Sequence, residues 1–154
     1  MTNRLIAGKE LAGLIGYQVQ MANLFLNEQA RTALDKFQIS PAKLSALLLI
    51  RDNAGCEQSA LGRALSINRS SAMKLVNVLA DRNLVERRPG RNLRSNALHL
   101  TEQGRIEIAA MAQTLRNADD ASAAALSINE RAEFLRLLEK LQHGKYPMGT
   151  LSEG

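Results

Sequence analysis

Residues 57–100 read EQSALGRALSINRSSAMKLVNVLADRNLVERRPGRNLRSNALHL, and the way this stretch divides decides the fold. Leu61 and Leu65 lie four apart, which predicts a short helix over 58–65 with both leucines inward. Ser66-Ile67 make a tight turn. Asn68 is a good cap for a new helix, because its side chain can accept a free first-turn N–H. That helix runs to about Arg82 and places Ala72, Leu75, Val76 and Leu79 on one side. Asn83 suits the left-handed position that ends it. The period then shifts from helical to alternating. Residues 84–88 and 96–100 read as two short strands around the basic loop Pro89-Gly90-Arg91-Asn92-Leu93-Arg94-Ser95.

The flanks are helical. Leu11, Leu14, Ile15, Ala22, Phe25, Leu26, Ala33, Leu34 and Phe37 recur three or four apart with no Pro among them, which predicts one long helix over 9–37. Ser40 can cap the next helix and Pro41 suits its first position. Leu44, Leu47, Leu48 and Ile50 follow, and Asn53-Ala54-Gly55 ends it. Thr101 caps a long helix to about Ala125. Ser127-Ile128-Asn129-Glu130 is a capping box, in which Ser127 and Glu130 satisfy each other's backbone N–H. The last helix carries Leu135, Leu138 and Leu141 and ends at His143-Gly144, with 145–154 as a tail.

Helix, turn, helix, strand, basic loop, strand is the order of a winged helix-turn-helix. The expected fold is therefore mainly α with a small two-stranded β-wing. A chain of 154 residues fits a single domain. Its lobe spans 41–100, and the flanking helices 9–37 and 101–143 are long for so small a lobe to cover. A two-fold partner is the natural cover, so these are read as dimerisation helices.

The charge is placed unevenly. Residues 57–101 hold eight basic side chains, Arg63, Arg69, Lys74, Arg82, Arg87, Arg88, Arg91 and Arg94, against Glu57, Asp81 and Glu86. The rest of the chain is neutral, so the whole net charge of +5 sits in this block. A concentrated cationic block suits a polyanion, since neutralised phosphates release counterions. A helix that enters a major groove needs a small, polar and basic outer side. The second helix offers Arg69, Ser70, Ser71, Met73, Lys74 and Asn77 there. Arg88, Arg91 and Arg94 in and beside the loop can reach phosphates or an adjacent minor groove. The implied partner is double-stranded DNA, bound as a palindromic operator by a homodimer.

Leu65-Ser66-Ile67-Asn68-Arg69-Ser70-Ser71, followed by Leu75-Val76 and Leu79, resembles the recognition-helix signature of the MarR (multiple antibiotic resistance regulator) family. Leu84-Val85-Glu86-Arg87-Arg88, followed by Leu100-Thr101-Glu102-Gln103-Gly104, is similar to the frame of that family's wing. The resemblance covers about residues 11–141. It implies a dimer built by the N- and C-terminal helices, and a transcription regulator released from DNA by a small aromatic acid or related ligand. Regulation of either sign is compatible with the residues; steric blocking of a promoter favours repression. Two departures stand out. The family carries an Asp two residues before the wing-tip Arg, whereas Asn92 precedes Arg94 here. Glu57 stands where a Ser usually caps the first helix of the motif. For the ligand, Tyr17 and Arg51 are the candidates, one stacking or donating its O–H and the other pairing a carboxylate.

Other classes find little support. There is no G-x-S-x-G elbow, no Gly-rich phosphate loop and no carboxylate pair in a catalytic motif, so neither an enzyme nor a cofactor is expected. His99 and His143 lack neighbours at metal-ligand spacing, so no metal is expected. The family's peroxide sensors place their reactive Cys in the first helix. Cys56 does not match them and reads as a structural or idle thiol. No apolar run reaches the ~20 residues of a membrane span, and the N-terminus lacks the pattern of a signal peptide, so the expected location is cytoplasmic. A helical protein–protein module of antirepressor type is the competing class. The four arginines between 87 and 94 argue against it.

Overall fold

A computed structural model of the chain describes residues 6–90 and 96–143. Arg91, Arg94 and the tail lie outside the described residues. In chain order the elements are α1 (Lys9–Ala12), α2 (Ile15–Leu34) with a 3-10 turn behind it (Asp35–Phe37), α3 (Pro41–Asp52), β1 (Cys56–Glu57), α4 (Gln58–Ala64), α5 (Arg69–Asp81), β2 (Val85–Pro89), β3 (Asn96–Leu100), α6 (Glu102–Ser122) and α7 (Ile128–His143). The chain divides into two compact units, Met1–Asp119 and Asp120–Gly154.

Helix starts follow from short-range chemistry. The Ser40 hydroxyl accepts the Lys43 N–H at 3.3 Å, with Pro41 at the first helical position. The Asn68 side-chain oxygen accepts the Ser71 N–H at 2.8 Å. In the second unit, the Ser127 N–H donates to the Glu130 carboxylate at 2.8 Å, and the Glu130 N–H donates back to the Ser127 hydroxyl at 3.3 Å. The backbone bond from Ser127 holds the Glu130 carboxyl below its ordinary range. A lost cap of this kind costs about 1 kcal/mol. Asn83 takes the left-handed conformation (φ 57°) expected at the end of α5.

Two expectations are corrected and one is extended. The stretch 9–37 is not one helix. It breaks at Gly13, whose N–H bonds to the carbonyls of Lys9 (3.1 Å) and Glu10 (3.2 Å), and Leu14 turns extended at ψ 121°. Gly is a poor helix former, and apolar spacing reports a shared face rather than an unbroken backbone. The expected two-stranded wing is present as β2 and β3, and a third short strand that the sequence did not reveal joins it, in the order β1-β3-β2. Gly55 (φ 86°) turns the chain and donates its N–H to the Leu98 carbonyl at 2.8 Å, and Cys56 and Glu57 then pair with Leu98 and Ala97. A two-residue strand is too short to show alternation. α6 also ends at Ser122, three residues early.

The core of the first unit gathers around α3, from Leu44, Ala46, Leu47 and Ile50. Leu61 of α4, Val76 and Leu79 of α5, Leu98 and Leu100 of β3, and Ile108 and Met111 of α6 close on it. Leu84 and Val85 join them and tie the root of β2 to the same core. Burying one such side chain contributes about 1.5–3 kcal/mol, so the angle of α5 is held from beneath. Among the described residues no helix is long and apolar enough to cross a membrane.

Candidate nucleic-acid interface

The site starts from the helical period of α5. Ala72, Val76 and Leu79 point into the core. The opposite side therefore leaves Arg69, Ser70, Ser71, Met73, Lys74 and Asn77 exposed, as the spacing predicts. No acidic side chain stands in the first turn. Unsatisfied N–H groups and the macrodipole make that end attractive to anions. Among the described residues, Arg69 and Lys74 have no carboxylate partner, so both cations are available.

The remaining arginines of the basic block differ in use. Arg88 is paired with Glu86, two residues back on the same face of β2, at 2.5 and 2.8 Å. A DNA phosphate would have to share or displace that carboxylate. Arg87 points the other way and donates to the side-chain oxygen (Oδ1) of Asn77 on α5 at 2.6 Å. Arg82 is turned inward. It donates to the carbonyls of Gln38 (2.8 Å) and Phe37 (3.0 Å), bracing the turn between α2 and α3. Sequence reasoning counted both Arg82 and Arg87 in the cationic block and named neither as a site residue. The alternation of β2 could have flagged Arg87, since it faces opposite to the Glu86–Arg88 pair.

Tyr17 and Arg51 line neither of the two surface depressions beside α2. Tyr17 is half-buried near the start of α2. Arg51 is paired with Asp52 at 2.8 Å, and this hydrogen bond holds the Asp52 carboxyl below its usual range. A groove instead runs between α2 and the start of α3. Met21, Leu24, Phe25 and Pro41 form its apolar part, with Glu28, Arg31 and Ser40 along it. A neighbouring depression continues past Thr32, Asp35, Gln38 and Ile39. Arg31 is the cation there, and nothing local in the sequence distinguishes it from a solvated helix charge. Cys56 is half-buried, and burial pushes its thiol up, so it stays protonated and a weak nucleophile. Among the described residues, no group of three or more His, Cys, Asp or Glu is placed to hold a metal.

Residues 37–94 match the model of the MarR family. Over 133 residues the chain is 32% identical to a protein described as a transcriptional regulatory protein for the hcr operon of Thauera aromatica, spanning 85% of this chain and 80% of that one. Among solved structures it is similar to the transcriptional repressor CouR bound to a 23-mer DNA duplex, at 27% identity and a TM-score of 0.84, covering 90% of this chain and 99% of CouR. CouR bound to p-coumaroyl-CoA gives 26% identity and a TM-score of 0.80, with 90% and 98% covered. A MarR family protein of Mycobacterium tuberculosis in complex with salicylic acid gives 25% identity and a TM-score of 0.70, with 84% and 96% covered. These relatives are regulators, not enzymes. The chain belongs to the MarR family of DNA-binding transcription regulators and has their winged-helix fold.

Proposed function

We propose that the chain acts as a homodimer that binds a palindromic double-stranded operator in a sequence-specific way, as a repressor that a small aromatic acid or related conjugate releases. One observation carries the DNA reading: α5 is capped by Asn68, free of acid in its first turn, and exposes Arg69, Ser70, Ser71, Met73, Lys74 and Asn77 on one side. These residues face the major groove in this reading. Arg88, with Arg91 and Arg94 outside the described residues, serves the wing. The chain is one functional domain, with the lobe 41–100 between dimerisation helices drawn from 9–37 and 101–143. Exposed apolar side chains support the dimer within each unit taken alone. Leu14, Ile15 and Phe25 are 54%, 68% and 50% exposed. α7 buries none of its residues and exposes Phe134, Leu135 and Leu141. Sedimentation at micromolar concentration is expected to give a dimer. Selection of bound genomic fragments is expected to give a near-palindrome with half-sites about 10 base pairs apart. A stable monomer that binds one half-site tightly would overturn the dimer.

Release by ligand draws support from the two relatives with bound small molecules, p-coumaroyl-CoA in CouR and salicylic acid in the mycobacterial protein. The α2–α3 groove offers what such a ligand needs, an apolar bed and the Arg31 guanidinium. Tyr17 and Arg51 are the alternative contacts. An aromatic carboxylate or its CoA conjugate is expected to raise the melting temperature and release DNA, since binding to one state shifts the population. Arg31→Ala is expected to weaken that response roughly tenfold or more, as a charge-assisted hydrogen bond is lost. An Arg31→Ala chain that responds as wild type, beside a Tyr17→Phe or Arg51→Ala chain that does not, would move the site to that pair.

A further inference from the structure

The contact between Arg87 and Asn77 joins the wing to the recognition helix, and its chemistry bears on which base is read. Both side chains are exposed, and the Arg87 guanidinium lies 2.6 Å from the Asn77 side-chain oxygen. A guanidinium has donors and no acceptor. The Asn77 group facing it must therefore be the carbonyl oxygen, which leaves the amide NH2 as the outward group. An Asn that reads adenine uses both ends, accepting from N6–H with its oxygen and donating to N7 with its nitrogen. Here the oxygen is already held by a cation, and that cation repels a second approaching N–H. The amide NH2 and the remaining guanidinium N–H groups are donors alone. Guanine presents two acceptors in the major groove, O6 and N7, whereas thymine presents one beside its methyl group, cytosine a donor and adenine one of each, so only guanine offers paired donors two partners. Arg87 is also distinct from its neighbour, since Arg88 is already neutralised by Glu86.

We infer that Arg87 and Asn77 form one reading unit that selects guanine at one position of each half-site. Arg87 is the positioning residue, and Asn77 donates to the base. This deepens the DNA-binding reading above and rests on it. The test is selection from a randomised duplex library with the full-length chain, its Arg87→Met and Asn77→Ala variants and the double variant. Binding of each to random duplex is measured against salt. Arg87→Met keeps the aliphatic stem, and circular dichroism with a melting curve checks folding. Wild type is expected to favour guanine at one position by roughly tenfold. Arg87→Met is expected to relax that position towards adenine, because the Asn77 oxygen is freed. Asn77→Ala is expected to lose the preference at the same position, and the double variant no more than either single one. A uniform loss of affinity in Arg87→Met, with base preferences intact and the log–log salt slope smaller by about one, would make Arg87 a phosphate contact and overturn the inference. A wild-type chain that enriches no sequence overturns the DNA-binding reading itself, an outcome separable from the first.

Discussion

Gly104→Ala is expected to lower the melting temperature by roughly 4–10 °C. A Cβ at Gly104 would overlap the carbonyl oxygen of Leu84 and lie 3.0 Å from its carbon and 3.2 Å from its Cα. The obstacle is backbone, so no rotamer change relieves it. Nor can that backbone yield easily. The Leu84 carbonyl accepts the Thr101 N–H at 3.1 Å, the Leu84 N–H donates to Leu79 at 3.0 Å, and the Thr101 hydroxyl donates to the Asn83 carbonyl at 2.5 Å. The same hydroxyl accepts the Gly104 N–H at 2.9 Å. To admit the methyl group, α6 must lift from the root of β2, and Ile108 and Met111 would then be drawn from the core they share with Leu84 and Val85. Overpacking of this kind costs about 3 kcal/mol. Ala favours a helix over Gly by about 1 kcal/mol, which has the opposite sign and is smaller. Each kcal/mol moves the midpoint of a chain this size by roughly 2–5 °C. Calorimetry or a urea titration checks this. An alanine variant that melts at or above the wild-type temperature would show that α6 and β2 are not held together here.

The second large effect belongs to function. Replacing Arg69 or Lys74 by Ala is expected to weaken operator binding by roughly 1–3 kcal/mol where the side chain makes a bidentate base contact, a factor of about 5 to 150. Both side chains are exposed and neither has a carboxylate partner among the described residues, so their loss leaves no buried group unpaired. The fold and melting temperature should hold. The loss is expected to be greater on operator than on random duplex, because base contacts specify while phosphate contacts only position. Fluorescence anisotropy on both duplexes, beside circular dichroism, makes the comparison. Unchanged affinity in both variants, with normal folding, sinks the assignment of α5 as the reading helix. Arg82 makes an instructive contrast. It belongs to the same charge block, yet its guanidinium is spent on the Phe37 and Gln38 carbonyls. Net charge alone would rank the three together.

What the sequence determined by itself is what acts over a few residues. A cap and the N–H it accepts are three positions apart, and so Ser40, Asn68 and the Ser127–Glu130 box could be read before any fold was known. The buried side of α5 follows from its period, which puts Arg69, Ser71 and Lys74 outside once Ala72 and Val76 are inside. The gathering of all excess charge between 57 and 101 is likewise a property of the chain order. Tertiary structure decided what acts across distance. β1 exists because Cys56 meets Leu98, forty-two positions on. Arg82, one of the eight cations of the basic block, is spent inside the fold because it meets carbonyls forty-four and forty-five positions back. Asn77 loses a free oxygen because β2 returns beside α5. Gly104 is constrained by a carbonyl twenty positions earlier. Residue type states which donors and acceptors a side chain has, but only the packing of helices and strands brings a given donor to a given acceptor. The same arginine chemistry therefore serves backbone carbonyls at 82, a side-chain amide at 87 and open charge at 69.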